Sequence, residues 1–274
     1  MSALFVITLL GLATICWIAS NPMRIRKRRQ GIARRPFPAS WRAILKRRVF
    51  AYGQLPDHLQ QELRRKILVF VAEKQFIGCN GFKINDEVRV TIAAHACLLL
   101  LNRDTDFYPG LRQILIYPDA FYVNRSEQDA AGVVWERHAL LSGESWNQGQ
   151  VLLSWRDIAQ DCAHPFDGFN VIFHEFAHQL DQQDGRADGA PPLPSTERYQ
   201  SWSSVMQREY DSLCQAAQWG SPSLFDYYGA TEPAEFFAVI TEVFFSKSRE
   251  FSALHPALYQ ELANYYRLDP AQWR

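Results

Sequence analysis

Apolar side chains recur at every third or fourth position in five long stretches of the chain, a spacing typical of amphipathic helices. These stretches are residues 55–76, 86–102, 171–185, 196–219 and 225–245. The second is almost continuously apolar from Thr91 to Leu101, which predicts that this helix lies in the centre of the core. His95 lies within that run and is interpreted as a core residue rather than a ligand.

Shorter segments rich in β-branched and aromatic residues predict strands. They are residues 111–123, 133–141 and 150–155. Pro118 in the first segment predicts either an edge strand or a break between two short strands. Glycine and asparagine residues between the second and third segments predict a connecting loop. Helices therefore predominate over a small sheet, and the predicted fold class is α+β.

The stretch from residue 171 to residue 185 reads V-I-F-H-E-F-A-H-Q-L-D-Q-Q-D-G and contains the pattern His-Glu-x-x-His. Residues four apart lie on one face of a helix, so the imidazoles of His174 and His178 can reach one metal ion. The opposite, core-facing stripe consists of Phe173, Phe176, Ala177 and Leu180. Either Asp167 or Asn170 can cap the start of this helix, and the Asp-Gly pair at its end is a natural stop.

Two neutral imidazoles at this spacing are typical ligands of a catalytic Zn²⁺, and Glu175 is placed to act as a general base on water. The pattern is short enough to occur by chance. A packed helix with two solvated or structural histidines is therefore the alternative interpretation. Because a catalytic zinc has three protein ligands and one open position, a third ligand is expected on a second helix.

The last of the five apolar stretches predicts that second helix. Pro233 suits its first turn, and Glu235 and Glu242, seven positions apart, share one of its faces. Glu235, which follows His178 by 57 residues, is the better candidate for the third ligand. Glu242 is either an acceptor for a ligand imidazole or a solvated charge, and spacing alone does not decide between the two acids. Asp181 either orients a ligand histidine or is an exposed carboxylate at the helix end.

Charge is distributed unevenly along the 274 residues, although the formal net charge is zero. Residues 1–50 hold 11 of the 29 basic residues and no acidic residue, which leaves 18 basic and 29 acidic residues for the rest. An acidic body argues against nucleic-acid binding by the folded part. The five cysteines form no C-x-x-C pair, which favours reduced thiols over disulfides or zinc ligands.

The N-terminal leader predicts a membrane anchor. Residues 2–19 carry no charge, close to the ~20 apolar residues that span a bilayer, and a basic cluster follows them. The predicted organisation is a transmembrane helix (1–21), a basic juxtamembrane tether (22–49) and a catalytic domain (50–274). The predicted location is the inner membrane, single-pass, with that domain facing the cytoplasm. The alternatives are a cleaved signal, a hydrophobic tail bound to a partner, and a soluble cytoplasmic protein.

Several motifs resemble the Mlc titration factor A family of zinc peptidases, whose active-site motifs are also similar to the anthrax lethal factor catalytic domain. The motifs are residues 88–94, 98–103, 153–155, 174–181, 184–185, 228–229, 235–238 and 265–270. The resemblance covers roughly residues 50–270 and not the leader. It implies a zincin-like fold with one Zn²⁺ per chain on His174, His178 and Glu235, and with Glu175 as base. It also implies that Tyr228 stabilises the oxyanion or protonates the leaving amine, although Tyr227 is adjacent.

The resemblance implies a zinc-dependent peptidase, an aminopeptidase with a regulatory role. Its expected partners are a peptide or protein substrate, a regulatory protein such as a transcriptional repressor, and the membrane through the N-terminal helix. Nucleic acid is not an expected partner. The alternative function is a zinc-containing binding module that sequesters a transcriptional regulator with little or no hydrolysis. An intact Glu175 favours the peptidase, because a structural site has no use for a base beside an open metal position. The predicted strands could also bind an extended peptide at an open sheet edge, or form an ordinary core sheet.

Overall fold

The computed structural model describes residues 2–103, 105–128, 134–141, 143–146 and 149–273, with side chains described except at residues 2–4, 6, 9, 12, 13 and 121–148. The helices are α1 Ser2–Ala19, α2 Asn21–Ala33, α3 Ala39–Arg48, α4 Phe50–Gln54, α5 Asp57–Glu73, α6 Asp86–Leu98, α7 Trp155–Ala163, α8 Val171–Asp181, α9 Thr196–Trp219, α10 Pro233–Ser246, α11 Ser248–Leu254 and α12 Pro256–Tyr266. The strands are β1 Gln75–Gly78, β2 Gln113–Tyr117, β3 Phe121–Gln128, β4 Val134–Leu141, β5 Gly143–Trp146 and β6 Gln150–Ser154. Single 3-10 turns follow α8, precede α10 and follow α12.

The main sheet has the strand order β1-β2-β6-β5, in which the first three strands are parallel and β5 runs antiparallel to β6. Its two central strands bury their alternating aliphatic side chains completely. These are Ile114, Ile116, Val151 and Leu153. Pro118 separates β2 from β3, and β3 pairs only with β4 among the described strands, in an antiparallel ribbon. The predicted α+β class with predominant helices and a small sheet is confirmed.

Helix α6 is the buried centre that its apolar run predicts. Asn85 caps its start by accepting a hydrogen bond from the Val88 N–H at 3.0 Å. From Val90 to Leu98 every residue is buried, because α3 and α5 cover one side and α8 the other. Helix α8 in turn packs between α6, α10 and the β5–β6 end of the sheet. The helix that carries the His-Glu-x-x-His pattern is therefore fixed on several sides.

Residues 22–49, where a tether is predicted, form α2 and α3 and contact the rest of the protein. Ile44 and Leu45 of α3 are buried, and Ile32 of α2 is buried beside α5. The guanidinium of Arg29 donates to both carboxylate oxygens of Glu73 on α5, at 2.9 and 3.0 Å. This segment is thus packed through apolar and ionic contacts.

Helix α1 precedes this packed region, and most of its described apolar side chains are exposed. It ends at Ala19 after 18 residues, which corresponds to about 27 Å of helix, less than the ~30 Å of bilayer hydrocarbon. Among the helices of the described residues, none has the length and apolar character needed to cross a membrane. The predicted transmembrane anchor and the predicted inner-membrane location with a cytoplasm-facing domain were therefore wrong.

Candidate metal centre

The amino end of α8 is held by three side chains that accept hydrogen bonds from its first backbone N–H groups. Asn170, one of the two predicted caps, accepts from the Phe173 N–H at 3.0 Å. Asp161 of α7 accepts from the Val171 N–H at 2.8 Å, and Glu242 of α10 accepts from the N–H of Asn170 itself. Two carboxylates at the positive end of the helix dipole stabilise this end and fix its position against α7 and α10. Burial raises the pKa of Asp161 to about 7.

The carboxyl end of α8 is fixed by contacts that the sequence did not reveal. Gly185 adopts the left-handed conformation, with φ of 90°, as expected for the stop. Asp181 is completely buried and accepts a hydrogen bond from the Gly189 N–H at 2.9 Å. Of the two predicted roles for Asp181, an exposed helix-end carboxylate is thereby excluded. Gly189 also lies against Pro233, the first residue of α10. The loop that contains Gly189 therefore contacts both the end of α8 and the start of α10.

The two histidines of the pattern meet Glu235 of α10 in one compact group. The Nε2 atom of His174 lies 3.0 Å from Oε2 of Glu235, and Nε2 of His178 lies 3.3 Å from the same oxygen. The two Nε2 atoms are 3.2 Å apart. The four core-facing side chains opposite them are buried as predicted. The structure therefore brings together the three side chains predicted as metal ligands.

Glu242 occupies the other side of the same imidazole. Its Oε1 lies 2.8 Å from Nδ1 of His174, and only 7% of its side chain is exposed. The solvated alternative for Glu242 is thus excluded by its burial. A carboxylate at Nδ1 holds the proton on that nitrogen and turns the lone pair of Nε2 towards Glu235. The two acids that share one face of α10 therefore serve opposite nitrogens of one histidine.

The geometry and charge of this group fit a metal ion. Bonds of ~2.0–2.1 Å at tetrahedral angles place zinc ligands ~3.3 Å from one another, close to the 3.0, 3.2 and 3.3 Å separations here. Burial lowers the pKa of His174, but its hydrogen bonds to Glu235 and Glu242 outweigh burial and raise that pKa well above its usual range. Burial likewise raises the pKa of Glu235, but hydrogen bonds from both histidines bring it well below its usual range. The acids therefore stabilise positive charge at this point.

Glu175 and Tyr228 lie beside this group. Glu175 is buried on α8, and its carboxylate is close enough to contribute to the raised pKa of His174. The ring centroid of Tyr228 is 6.0 Å from that of His174, and the tyrosine is 46% exposed. The hydroxyl of Tyr227 instead donates to the carbonyl of Ser221. Of the two adjacent tyrosines, Tyr228 is the one in contact with a predicted ligand.

Strand β5 forms one edge of the main sheet and also packs against α8. On its other side no strand of the described residues pairs with it. The sequence had predicted a loop in this region, because four residues flanked by glycine and asparagine give no clear period. An antiparallel edge strand next to the histidine helix is a surface on which an extended peptide can add a further strand.

Comparison with known proteins identifies the family of the chain. Residues 23–267 match the glucose-regulated metallo-peptidase M90 family. The chain belongs to this family. The M90 match includes every residue of the candidate metal centre and also covers α3 and all but the first two residues of α2.

Individual relatives extend over most of the chain. An uncharacterized protein of Synechocystis is 44% identical over 270 residues, which is 98% of each chain. Mlc titration factor A of Cronobacter sakazakii is 34% identical over 237 residues, 85% of this chain and 87% of that protein. The same-named protein of Salmonella paratyphi B is 36% identical over 208 residues, 74% and 77% of the two chains. The family predicted from the motifs is confirmed, and membership of M90 implies a metal-dependent peptidase type of site.

Proposed function

We propose that this M90 protein is a zinc-dependent peptidase whose metal ligands are His174, His178 and Glu235. The observation that carries the proposal is the set of three ligand atoms, separated by 3.0 to 3.3 Å, beside a buried glutamate that follows the first histidine. Two histidines and one carboxylate form a three-ligand set that leaves a position open, as in catalytic rather than structural zinc sites. The domain predicted for residues 50–274 contains all of these residues.

Each neighbouring residue has a role that follows from its position. A zinc ion at this site would supply Lewis-acid polarisation of the scissile carbonyl and acidification of water. Glu175 accepts the proton of the attacking water and then delivers it to the leaving amine. Tyr228, exposed beside His174, donates a hydrogen bond to the carbonyl oxygen as negative charge develops there. Such a donor typically contributes ~3 kcal/mol to lowering the barrier.

Substrate orientation follows from the sheet edge. We propose that an extended peptide pairs with the open edge of β5, whose packing against α8 brings the bound main chain towards the histidines. Main-chain pairing recognises the peptide backbone rather than particular side chains. Family resemblance further suggests an aminopeptidase. Reporters with a free amino terminus should then be cleaved, and the same peptides with a blocked amino terminus should not.

The test combines metal analysis with hydrolysis of peptide reporters. We expect about one zinc per wild-type chain, normal zinc content without hydrolysis in Glu175→Gln, and weakened zinc binding in Glu235→Gln. Glu232→Gln is the matched control, because Glu232 is an exposed acid three residues before Glu235. Tyr228→Phe should lower kcat while Tyr227→Phe should not. Full hydrolysis by Glu175→Gln would contradict the proposed base, and a protein without zinc would contradict the site.

A second function is suggested by the names of relatives. Proteins 34% and 36% identical to this chain are called Mlc titration factor A, which suggests that this protein also binds a transcriptional regulator. Binding and hydrolysis are separable by Glu175→Gln, since this change leaves the protein surface almost unaltered. A variant that binds the regulator and keeps its full cellular effect without hydrolysis would favour the binding module over the peptidase.

A further inference from the structure

A groove of about 700 Å³ lies on the surface where the carboxyl end of α2, the start of α3 and the middle of α5 meet. The described residues that line it include five arginines and no aspartate or glutamate. The arginines are Arg34, Arg35, Arg42, Arg64 and Arg65. Two glutamines and three apolar residues complete the lining, and they are Gln30, Gln61, Ala33, Phe37 and Leu68. Its size is within the range of sites for small ligands.

Arginines just outside the groove are neutralised by carboxylates, whereas those inside it are not. Arg29, one turn earlier on α2, pairs with Glu73, and Arg47 and Arg48 near the end of α3 both pair with Glu87. In the part of the chain that the structure describes, no carboxylate lies within ion-pair distance of any of the five groove arginines. The protein thus concentrates unpaired positive charge at one concave site.

One of the five guanidinium groups is also held in place. Arg64 is half-buried and donates a hydrogen bond at 3.0 Å to the hydroxyl of Tyr52, which is itself buried. Favourable interaction with a helix dipole accounts for Arg34 and Arg35 at the carboxyl end of α2, but not for Arg42, in the first half of α3, where a cation is disfavoured. An anion bound among the five like charges would therefore reduce the repulsion between them.

The density of charge indicates which anion fits. An extended acidic peptide presents side chains to one face at every second residue, about 7 Å apart, so a groove of this size would contact only a few carboxylates. Each phosphate group instead carries up to about two charges and three acceptor oxygens. The planar guanidinium binds such oxygens in a bidentate manner. Two or three linked phosphates therefore match five arginines in a small volume better than a peptide does.

We infer that this groove binds a compact soluble anion that carries two or more phosphate groups. The site is separate from the metal centre, because its residues lie on α2, α3, α5 and the α2–α3 connection, whereas the predicted ligands lie on α8 and α10. The inference does not depend on the proposed peptidase activity. Binding at the groove can be measured in a protein that hydrolyses nothing.

The test is calorimetric titration of the full chain with inorganic tripolyphosphate at about 0.15 M salt, with orthophosphate and hexaglutamate as comparison probes. The groove variant is Arg42→Gln with Arg65→Gln, and the control is Arg47→Gln with Arg156→Gln. The control removes the same charge from arginines whose side chains are 59% and 61% exposed outside the groove. We expect saturable binding of tripolyphosphate, at least tenfold weaker in the groove variant and within twofold of wild type in the control.

Several outcomes would overturn the inference. They are equal weakening in both variants, absence of saturable binding up to millimolar tripolyphosphate, or tighter binding of hexaglutamate. Much tighter binding of a single-stranded oligonucleotide would assign the groove to nucleic acid instead. Phosphate bound at the metal centre would not be mistaken for groove binding, because both variants keep that centre intact. Thermal unfolding of the variants without ligand serves as the folding control.

Discussion

Replacing Glu242 by glutamine should weaken zinc binding although Glu242 is not a ligand. The carboxylate of Glu242 accepts two hydrogen bonds, from Nδ1–H of His174 and from the backbone N–H of Asn170. A glutamine has one carbonyl oxygen, so its amide NH₂ must face one of these two donors. Either the histidine changes tautomer and presents Nε2–H towards Glu235, or the cap of α8 loses its acceptor. Both outcomes disturb the ligand geometry.

Loss of a carboxylate that hydrogen-bonds to a metal-binding histidine typically lowers metal affinity 10- to 100-fold, or by about 1.4–2.7 kcal/mol. We expect a loss of zinc affinity of this size in Glu242→Gln. Zinc affinity is measured by competition with a chromogenic chelator. Glu250→Gln is the matched control, because Glu250 is an exposed acid on the following helix. The melting temperature should rise less on zinc addition in Glu242→Gln than in wild type. Unchanged zinc affinity in Glu242→Gln would refute the claim that this carboxylate orients His174.

Two further substitutions test the packing around the centre. In Gly189→Ala, the added Cβ would lie 2.4 Å from the Pro233 carbonyl oxygen at a φ of 76°, so we expect a loss of about 1–3 kcal/mol in unfolding free energy and weaker zinc binding. Gly185→Ala is its control, with φ of 90° but open space around the Cβ. Equal losses of unfolding free energy in both variants would show that the contact with Pro233 does not cause the loss in Gly189→Ala. Burial lowers the pKa of His95 from 6.5 to about 4. Between these two pH values His95 is protonated in the unfolded chain but not in the folded protein. The contribution of His95 to stability should therefore be lost as pH drops from about 6.5 to 4, by up to roughly 3 kcal/mol, and stability in denaturant melts should fall less over this range in His95→Gln than in wild type.

Features encoded by local periodicity were accessible from the sequence. The helix predicted at residues 196–219 corresponds to α9, and the phase of α8 follows from four apolar residues opposite two histidines. Spacing alone did not decide between Glu235, the better candidate, and Glu242, because a separation of seven residues places both on one helical face. Only the position of α10 beside α8 shows that each acid meets a different nitrogen of His174.

Non-local contacts account for the rest of what the sequence did not reveal. Asp161 on α7 accepts a hydrogen bond from the backbone N–H of Val171 on α8. The chain changes direction between these two helices, so no spacing rule predicts this pair. Gly189 gives no signal of its contact with Pro233, because 44 residues separate them. Strand β5 pairs with β6 and has only four residues, so it is too short to show the alternation of apolar and polar residues that predicts a strand.

The connection from Asp181 through Gly189 to Pro233 has a consequence for how the centre acquires its ion. It links the end of the helix that carries two histidines to the start of the helix that carries Glu235, without using any ligand atom. The three proposed ligand side chains are consequently held 3.0 to 3.3 Å apart by contacts of the protein itself. Immobilising a side chain on binding costs about 0.5–1.5 kcal/mol, and three ligands that are already ordered avoid most of that cost. Metal binding should therefore proceed with little loss of conformational entropy, because no loop has to fold around the ion.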